Sequence, residues 1–242
     1  MQASGSRAVR GVGIRGIVFD KDGTLFDFQA TWGYWCAGFI RELAGTDEIH
    51  AAALAAALGF DRAAGRFHPA SPVIAGTMEV VIAAALNALP GIEEAGLRRR
   101  VLETTAAAPQ VEAAPLAALL DRLRGAGMTL GLATNDAEAP ARAHLARAGV
   151  LDRFAFVAGY DSGHGGKPEP GMLEAFCRAT GLPSAACAMV GDSAHDLASG
   201  RAAGMATVGV LTGPATAADL APLADVVLPG VAALPAWLGL DG

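Results

Sequence analysis

Asp20 and Asp22 flank Lys21 and lead into Gly23-Thr24, directly after an apolar run over 14–19. The run is short, β-branched and aromatic, so it reads as a buried strand. The two acids then lie just past its carboxyl end, where ligands bind in an open parallel sheet. Carboxylates this close repel unless a cation lies between them or one holds a proton. Oxygen donors suit a hard ion such as Mg²⁺. Gly23 permits a sharp turn, and the Thr24 hydroxyl can tie it. The string also reads as an ordinary Asp-Gly surface turn, so its meaning depends on the rest of the chain.

Three later clusters also follow apolar runs. Thr134-Asn135 comes after 128–133. A hydroxyl with backbone N–H groups at a helix start makes an anion site, and equally makes an N-cap. Lys167 sits in Gly165-Gly166-Lys167-Pro168, at a loop-to-helix junction. The chain has 18 Lys and Arg together, of which only Lys21 and Lys167 are Lys. A Lys in so Arg-rich a sequence marks a place that wants a compact ammonium. Asp192 follows the run 186–190, and Asp196 lies about one helical turn further, so both can face one point. Ser193 with Asp196 also fits a capping box. His195 then points elsewhere, as a surface or packing residue.

Together these clusters put carboxylate pairs, a hydroxyl and an ammonium at strand ends of one sheet. The chemistry they suit is phosphoryl transfer, in which Mg²⁺ and a Lys neutralise the charge of a phosphate dianion. Asp20 attacks phosphorus to form an aspartyl phosphate. Asp22 protonates the leaving alkoxide and then activates water. Asp192 completes the metal site.

The elements that must position these groups follow from hydrophobic periodicity. Strands are expected at 14–19, 128–133, 154–158, 186–190, 206–210 and 226–228. Helices are expected at 115–124, 134–148, 168–180 and 193–203. The alternation predicts an α/β fold, a doubly wound parallel sheet with helices on both faces. The second strand begins about 110 residues after the first, whereas a βαβ unit needs only ~30. The excess reads as helices at 29–43, 49–58, 74–89 and 92–105 around a loop at 60–72, with no strand between 28 and 107. An inserted helical cap domain is therefore expected at 28–107, and connectivity places it over the acids. The catalytic core is expected from 14–27 and 108–242, preceded by a loose tail at 1–13.

Composition limits the setting. Apolar residues make up 52% of the chain and mean hydropathy is +0.38, but much of the excess is Ala. No clean run of ~20 apolar residues exists, so no transmembrane helix is expected. The tail lacks the apolar centre of a secretion signal. Cys36, Cys177 and Cys187 are odd in number and scattered, which fits buried thiols in a reducing cytoplasm. A net charge of −6 without a basic stripe argues against nucleic acid as a partner. A monomer or homodimer is expected.

Asp20-Lys21-Asp22-Gly23-Thr24, Thr134, Lys167-Pro168 and Gly191-Asp192-Ser193-Ala194-His195-Asp196 resemble, in order, the four motifs of the haloacid dehalogenase superfamily. Within it, the run around Asp20 and the stretch from Val190 to Met205 are most similar to the phosphoglycolate phosphatase group. The resemblance implies a nucleophile at Asp20, a general acid/base at Asp22, and Mg²⁺ held by Asp20, the Asp22 backbone carbonyl and Asp192. It implies that Asp196 orders metal-bound water or Lys167, and that Thr134, Asn135 and Lys167 hold the phosphate. The substrate it implies is a small phosphorylated metabolite, with Arg62, Arg66, His68, Ser71 and Thr77 of the cap available to read a small anion. Dehalogenases of the superfamily lack the second acid, and its phosphonate-cleaving members need a cap Lys that is absent here. A sugar-phosphate mutase would keep the same aspartyl phosphate. A non-catalytic receiver-type phospho-switch uses similar groups on a smaller module. Lys21 stands where the superfamily more often has an apolar residue, and the sequence assigns it no role.

Overall fold

The computed structural model describes residues 11, 13–68, 70–74 and 76–240. The tail expected at 1–13 lies mostly outside the described residues. In chain order the elements begin with β1 (Gly16–Phe19), a π-helical turn Gln29–Gly33, α1 (Tyr34–Ala44) and α2 (Glu48–Ala57). A hairpin of β2 (Phe60–Asp61) and β3 (Arg66–Phe67) precedes α3 (Met78–Ala88) and α4 (Glu94–Ala107). Then come α5 (Leu116–Gly125), β4 (Thr129–Ala133), α6 (Glu138–Arg147), β5 (Phe156–Ala158), α7 (Gly171–Thr180) and β6 (Cys187–Gly191). The chain continues through α8 (Ala194–Ala202), β7 (Ala206–Val210), α9 (Ala217–Leu220), β8 (Val226–Leu228) and α10 (Leu234–Trp237).

Six strands form one parallel sheet in the order β5-β4-β1-β6-β7-β8. The doubly wound α/β architecture is thus as expected, and β1 sits at its centre with Phe19 opposite both Leu132 and Val190. Successive side chains of β1 leave opposite faces of the sheet. Ile17 and Phe19 join a core with Leu120, Leu132 and Val190, while Val18 joins one with Met172, Phe176 and Met189. Gly131 and Gly16 admit the Phe176 ring, since a Cβ at Gly131 would lie 2.6 Å from it and one at Gly16 3.0 Å. The chain runs from β1 outward to β4 and β5, and the segment through α7 then carries it back to β6 on the other side of β1, so the ends of β1 and β6 flank the topological switch point.

The insertion between β1 and α5 builds its own apolar cluster around Trp35, Phe39, Leu54, Ile82 and Val101. Its helical character is as expected, but the β2–β3 hairpin departs from a strand-free reading of 28–107. Strands of two residues are too short to show any period. The insertion leaves and returns side by side, with Asp27 N–H donating to Val111 O (2.8 Å) and Ala113 N–H to Leu25 O (2.9 Å). Helix α6 of the sheet layer clamps the far end of α4. Arg147 donates to the carbonyls of Ala106 (2.9 Å) and Ala108 (3.0 Å), groups left unpaired where that helix ends. Among the described residues, no helix is long and apolar enough to cross a membrane.

Candidate active site

Asp20 follows β1 directly, and its N–H donates to Val190 O (2.8 Å), which fixes the first residue beyond the sheet. Gly23 turns the chain with φ +83°, and a Cβ there would lie 2.3 Å from Asp192 Oδ2. Only glycine fits both demands. Thr24 Oγ1 donates to Asp192 Oδ1 (3.2 Å), so the turn after β1 grips the acid after β6. Thr212 Oγ1 donates to Gly23 O (2.6 Å) from the loop after β7, and a Cβ at Gly213 would run into Asp192. Thr24 was expected to tie its own turn; its bond to Asp192 instead joins two loops. Thr212 and Gly213 carried no sequence signal beyond their position just past a strand.

Lys167 unites the acids. Its Nζ lies 2.5 Å from Asp20 Oδ1 and 2.6 Å from Asp196 Oδ1, with all three residues buried. Asp196 divides its two oxygens. Oδ2 accepts from Ser193 N–H (3.0 Å) and Oγ (2.6 Å) in a capping box of α8, while Oδ1 takes the ammonium. One carboxylate thus caps α8 and pairs with the ammonium at the same time. Asn135 braces the lysine, since its Nδ2 donates to Lys167 O (3.0 Å) and its Oδ1 accepts from Lys167 N–H (2.8 Å).

Helix α6 begins at Glu138, four residues later than the expected start at 134. Thr134 Oγ1 accepts from Asp136 N–H (3.1 Å), and Asp136 Oδ1 accepts from Ala137 N–H (2.8 Å). These local turns compete with the helix and hold Thr134-Asn135 in the preceding loop. The free amides at the helix start do not serve that loop either, because Glu138 N–H donates to Asp161 Oδ1 (2.8 Å).

The electrostatics are those of crowded acids short of positive charge. Burial, with help from Asp196 and Asp22, pushes the Asp20 carboxyl up to about 7 in spite of Lys167. Burial, then Asp20 and Asp196, also lift Asp192 well above the ordinary carboxylate range. Burial works against the charge on Lys167, but Asp196 and Asp20 outweigh it and hold the ammonium above its usual value. Asp20, Asp192 and Asp196 present oxygens within 4.8 Å of one another, a hard-donor set that fits a divalent cation.

Residues 14–204 match the sequence model of the haloacid dehalogenase-like hydrolases. The chain belongs to that family. It is 39% identical over 124 residues to the phosphoglycolate phosphatase of Rhodospirillum rubrum, which is 50% of this chain and 51% of that one. It is 33% identical over 165 residues to the plasmid phosphoglycolate phosphatase of Cupriavidus necator, 59% of this chain and 71% of that one. The match thus spans about half the length of the first relative. Among solved structures, CbbY from Rhodobacter sphaeroides in complex with phosphate superposes with a TM-score of 0.72 at 22% identity, over 93% of this chain and 99% of that one. At that identity the likeness carries the fold alone.

All seven residues singled out in this hydrolase's sequence line one cleft between sheet and insertion: Asp20, Asp22, Thr134, Asn135, Lys167, Asp192 and Asp196. The polar cap residues do not gather with them. Arg62 is exposed and paired with Glu48 at 2.8 Å, and Arg66 and His68 are exposed. The Ser71 hydroxyl donates to Leu58 O (2.6 Å). Of that group only Thr77 lines the cleft; His195, expected to point elsewhere, is exposed and also lines it from the core side. Cys36 and Cys187 are buried as expected, whereas Cys177 is half-buried at the edge of the core that holds Phe176 and Cys187.

Lys21 is the unforeseen centre of the site's inner wall. It is fully buried, with its Nζ 2.7 Å from Asp22 Oδ2, 3.4 Å from Asp136 Oδ2 and 3.0 Å from His144 Nδ1. The ammonium can only donate, so His144 Nδ1 is the acceptor and Nε2 carries the proton given to Thr105 O (2.8 Å) of α4. Burial, then the charge of Lys21, push the His144 imidazole down to about 4. Below the unfolded value of about 6.5 the unfolded chain takes up a proton that the folded ring refuses until about pH 4. Stability from this ring is complete above that window and lost as pH falls through it. From pH 7 to pH 5 the ring should cost about 2 kcal/mol. His144→Gln keeps an acceptor and a donor without titrating. Urea unfolding at both pH values should show a smaller acid loss in the variant; equal losses would mean that the ring titrates normally in the fold.

Proposed function

We propose that this chain is a Mg²⁺-dependent phosphatase that hydrolyses a small phosphorylated metabolite through an aspartyl phosphate on Asp20. The observation that carries this reading is the Lys167 ammonium shared between Asp20 and Asp196 at the switch point of the sheet, with Asp192 alongside. Asp20, Asp192 and the Asp22 backbone carbonyl would hold the metal, with Asp196 behind them. Once bound, the ion supplies positive charge to the phosphoryl oxygens and lets a carboxylate approach a dianion. Thr134, Asn135 and Lys167 hold the phosphate, and the Asn135 side chain acts by keeping Lys167 in place.

A carboxylate oxygen of Asp20 forms a bond to phosphorus as the phosphorus–alkoxide bond breaks. Asp22 gives its proton to the departing alkoxide. Asp22 then takes a proton from water, whose oxygen bonds to phosphorus as the bond to Asp20 breaks. The surroundings of Asp22 support this role. Lys21 holds Oδ2, while Oδ1 is buried and has no hydrogen-bond partner among the described residues.

Asp22→Asn tests the assignment. Turnover of an alkyl phosphate should fall by about 10²-fold or more. With p-nitrophenyl phosphate, whose leaving group needs no proton, the first step should survive while water attack slows. Intact-mass measurement should then show one phosphoryl group, located on the peptide containing Asp20. Near-normal turnover would assign the proton transfer to another group, and a phosphorylated peptide lacking Asp20 would remove the nucleophile.

A further inference from the structure

The cleft above the acids lies between sheet and insertion and is partly open to solvent. Its floor is the charged constellation already described. Its walls and roof come from the insertion and have a different chemistry: Phe28, Trp32, Trp35, Met78, Val81 and Val101. All six side chains are more than nine-tenths buried. Val73 and Ile74 close the remaining side.

Polar groups near this wall are already engaged. Trp35 Nε1 donates to Thr104 Oγ1 (3.1 Å), and Thr105 Oγ1 donates back to Val101 O (2.8 Å). No arginine lines the cleft among the described residues, and its one Lys, Lys167, is held by two carboxylates. The cap arginines nearest in sequence are spent outside it. Arg98 pairs with Glu79 and Glu94, and Arg100 with Glu42 at 2.8 Å. The amino end of α3 reaches the cleft at Thr77 and Met78. A second anionic group on the substrate would therefore meet apolar walls on the cap side and five acids, Asp20, Asp22, Asp136, Asp192 and Asp196, on the floor, where besides Lys167 only the exposed His195 imidazole offers a basic group among the described residues. Burying a carboxylate without a partner is strongly unfavourable. Thr77, whose hydroxyl makes no capping bond to α3, is a cap side chain available to meet a neutral polar group.

We propose that the alcohol half of the substrate is uncharged and mainly apolar, so that the chain acts on aromatic or branched aliphatic phosphate monoesters in preference to phosphorylated acids or sugars. This rests on the phosphatase reading above, and it separates this cleft from what the names of its curated relatives suggest.

Two measurements keep the proposal and that reading apart. Calorimetric titration of the Mg²⁺-loaded protein with benzylphosphonate and with phosphonoacetate reads the walls without any turnover. Benzylphosphonate should bind at least ~10-fold more tightly. Equal affinities, or a preference for phosphonoacetate, would overturn the proposal. Initial rates with benzyl phosphate, 2-phosphoglycolate and glucose 6-phosphate should give the same order in kcat/KM. Absence of phosphate release from all three, together with the binding preference, would refute the phosphatase reading and leave the cleft's selectivity established. Ile74→Arg, which adds a cation to the half-buried side of the cleft, should narrow the phosphonate preference by ~10-fold. An unchanged ratio would show that this wall does not face the ligand and would also overturn the proposal.

Discussion

Asp20→Asn is expected to remove turnover, with a loss on the order of 10⁴-fold or more, the scale seen when a covalent nucleophile is deleted. An amide oxygen is too weak a nucleophile to displace an alkoxide from phosphorus. The fold should tolerate the change. Burial, helped by Asp196 and Asp22, pushes the Asp20 carboxyl up to about 7, so a neutral isostere relieves a disfavoured charge. Lys167 keeps its partner Asp196 at 2.6 Å. Urea unfolding near neutral pH should therefore find the variant at least as stable as the parent while phosphate release is lost. No phosphoryl group should appear on the protein after exposure to p-nitrophenyl phosphate. Retention of more than about 1% of the parent rate would mean that water attacks phosphorus directly and that Asp20 only helps to hold a cation.

The groups that carry this prediction were legible in the sequence because each is fixed locally. An apolar run followed at once by acids, or by a glycine loop and a lone Lys, puts chemistry at a strand end whatever the rest of the chain does. The parallel sheet then gathers those ends, which is why Asp20, Lys167, Asp192 and Asp196 meet. What failed was whatever depends on direction or on distant partners. Helix α6 starts late because the Thr134 hydroxyl and the Asp136 carboxylate bond to nearby backbone amides, a competition that residue type alone leaves undecided. Arg62 and Arg66 had the right chemistry for an anion but lie on exposed faces of the cap, whereas its indoles turn inward. Lys21 had no visible role because one partner, His144, lies 123 residues away.

Replacing that lysine is the second large effect expected. Lys21→Met keeps most of the length of the side chain and its packing beneath the Trp32 ring, whose centroid is 5.3 Å from Nζ, and removes the ammonium with its charge and N–H donors. Asp22 and Asp136 then share an interior pocket without their cation, and His144 Nδ1 loses its donor. Breaking a buried ion pair by deleting one member costs about 3–5 kcal/mol, because the surviving charge stays buried. For a chain of this size that corresponds to a fall of roughly 6–20 °C in Tm. Asp136 escapes part of the penalty, since burial already raises its carboxyl above the ordinary range and it can take up a proton. Lys21→Met with Asp136→Asn should therefore recover part of the stability. Turnover should not recover with it, for Asp22 Oδ2 still lacks the ammonium that fixes it, and the carboxylate that must both give and accept a proton is free to rotate. A drop in kcat at nearly constant KM in both variants would mark Lys21 as a positioning residue for Asp22. Recovery of rate and stability together would reduce Lys21 to a counter-charge for Asp136. The bond from His144 to Thr105 of α4 extends the same wall to the insertion, so the group that sets Asp22 also ties the acid's loop to the roof over the substrate.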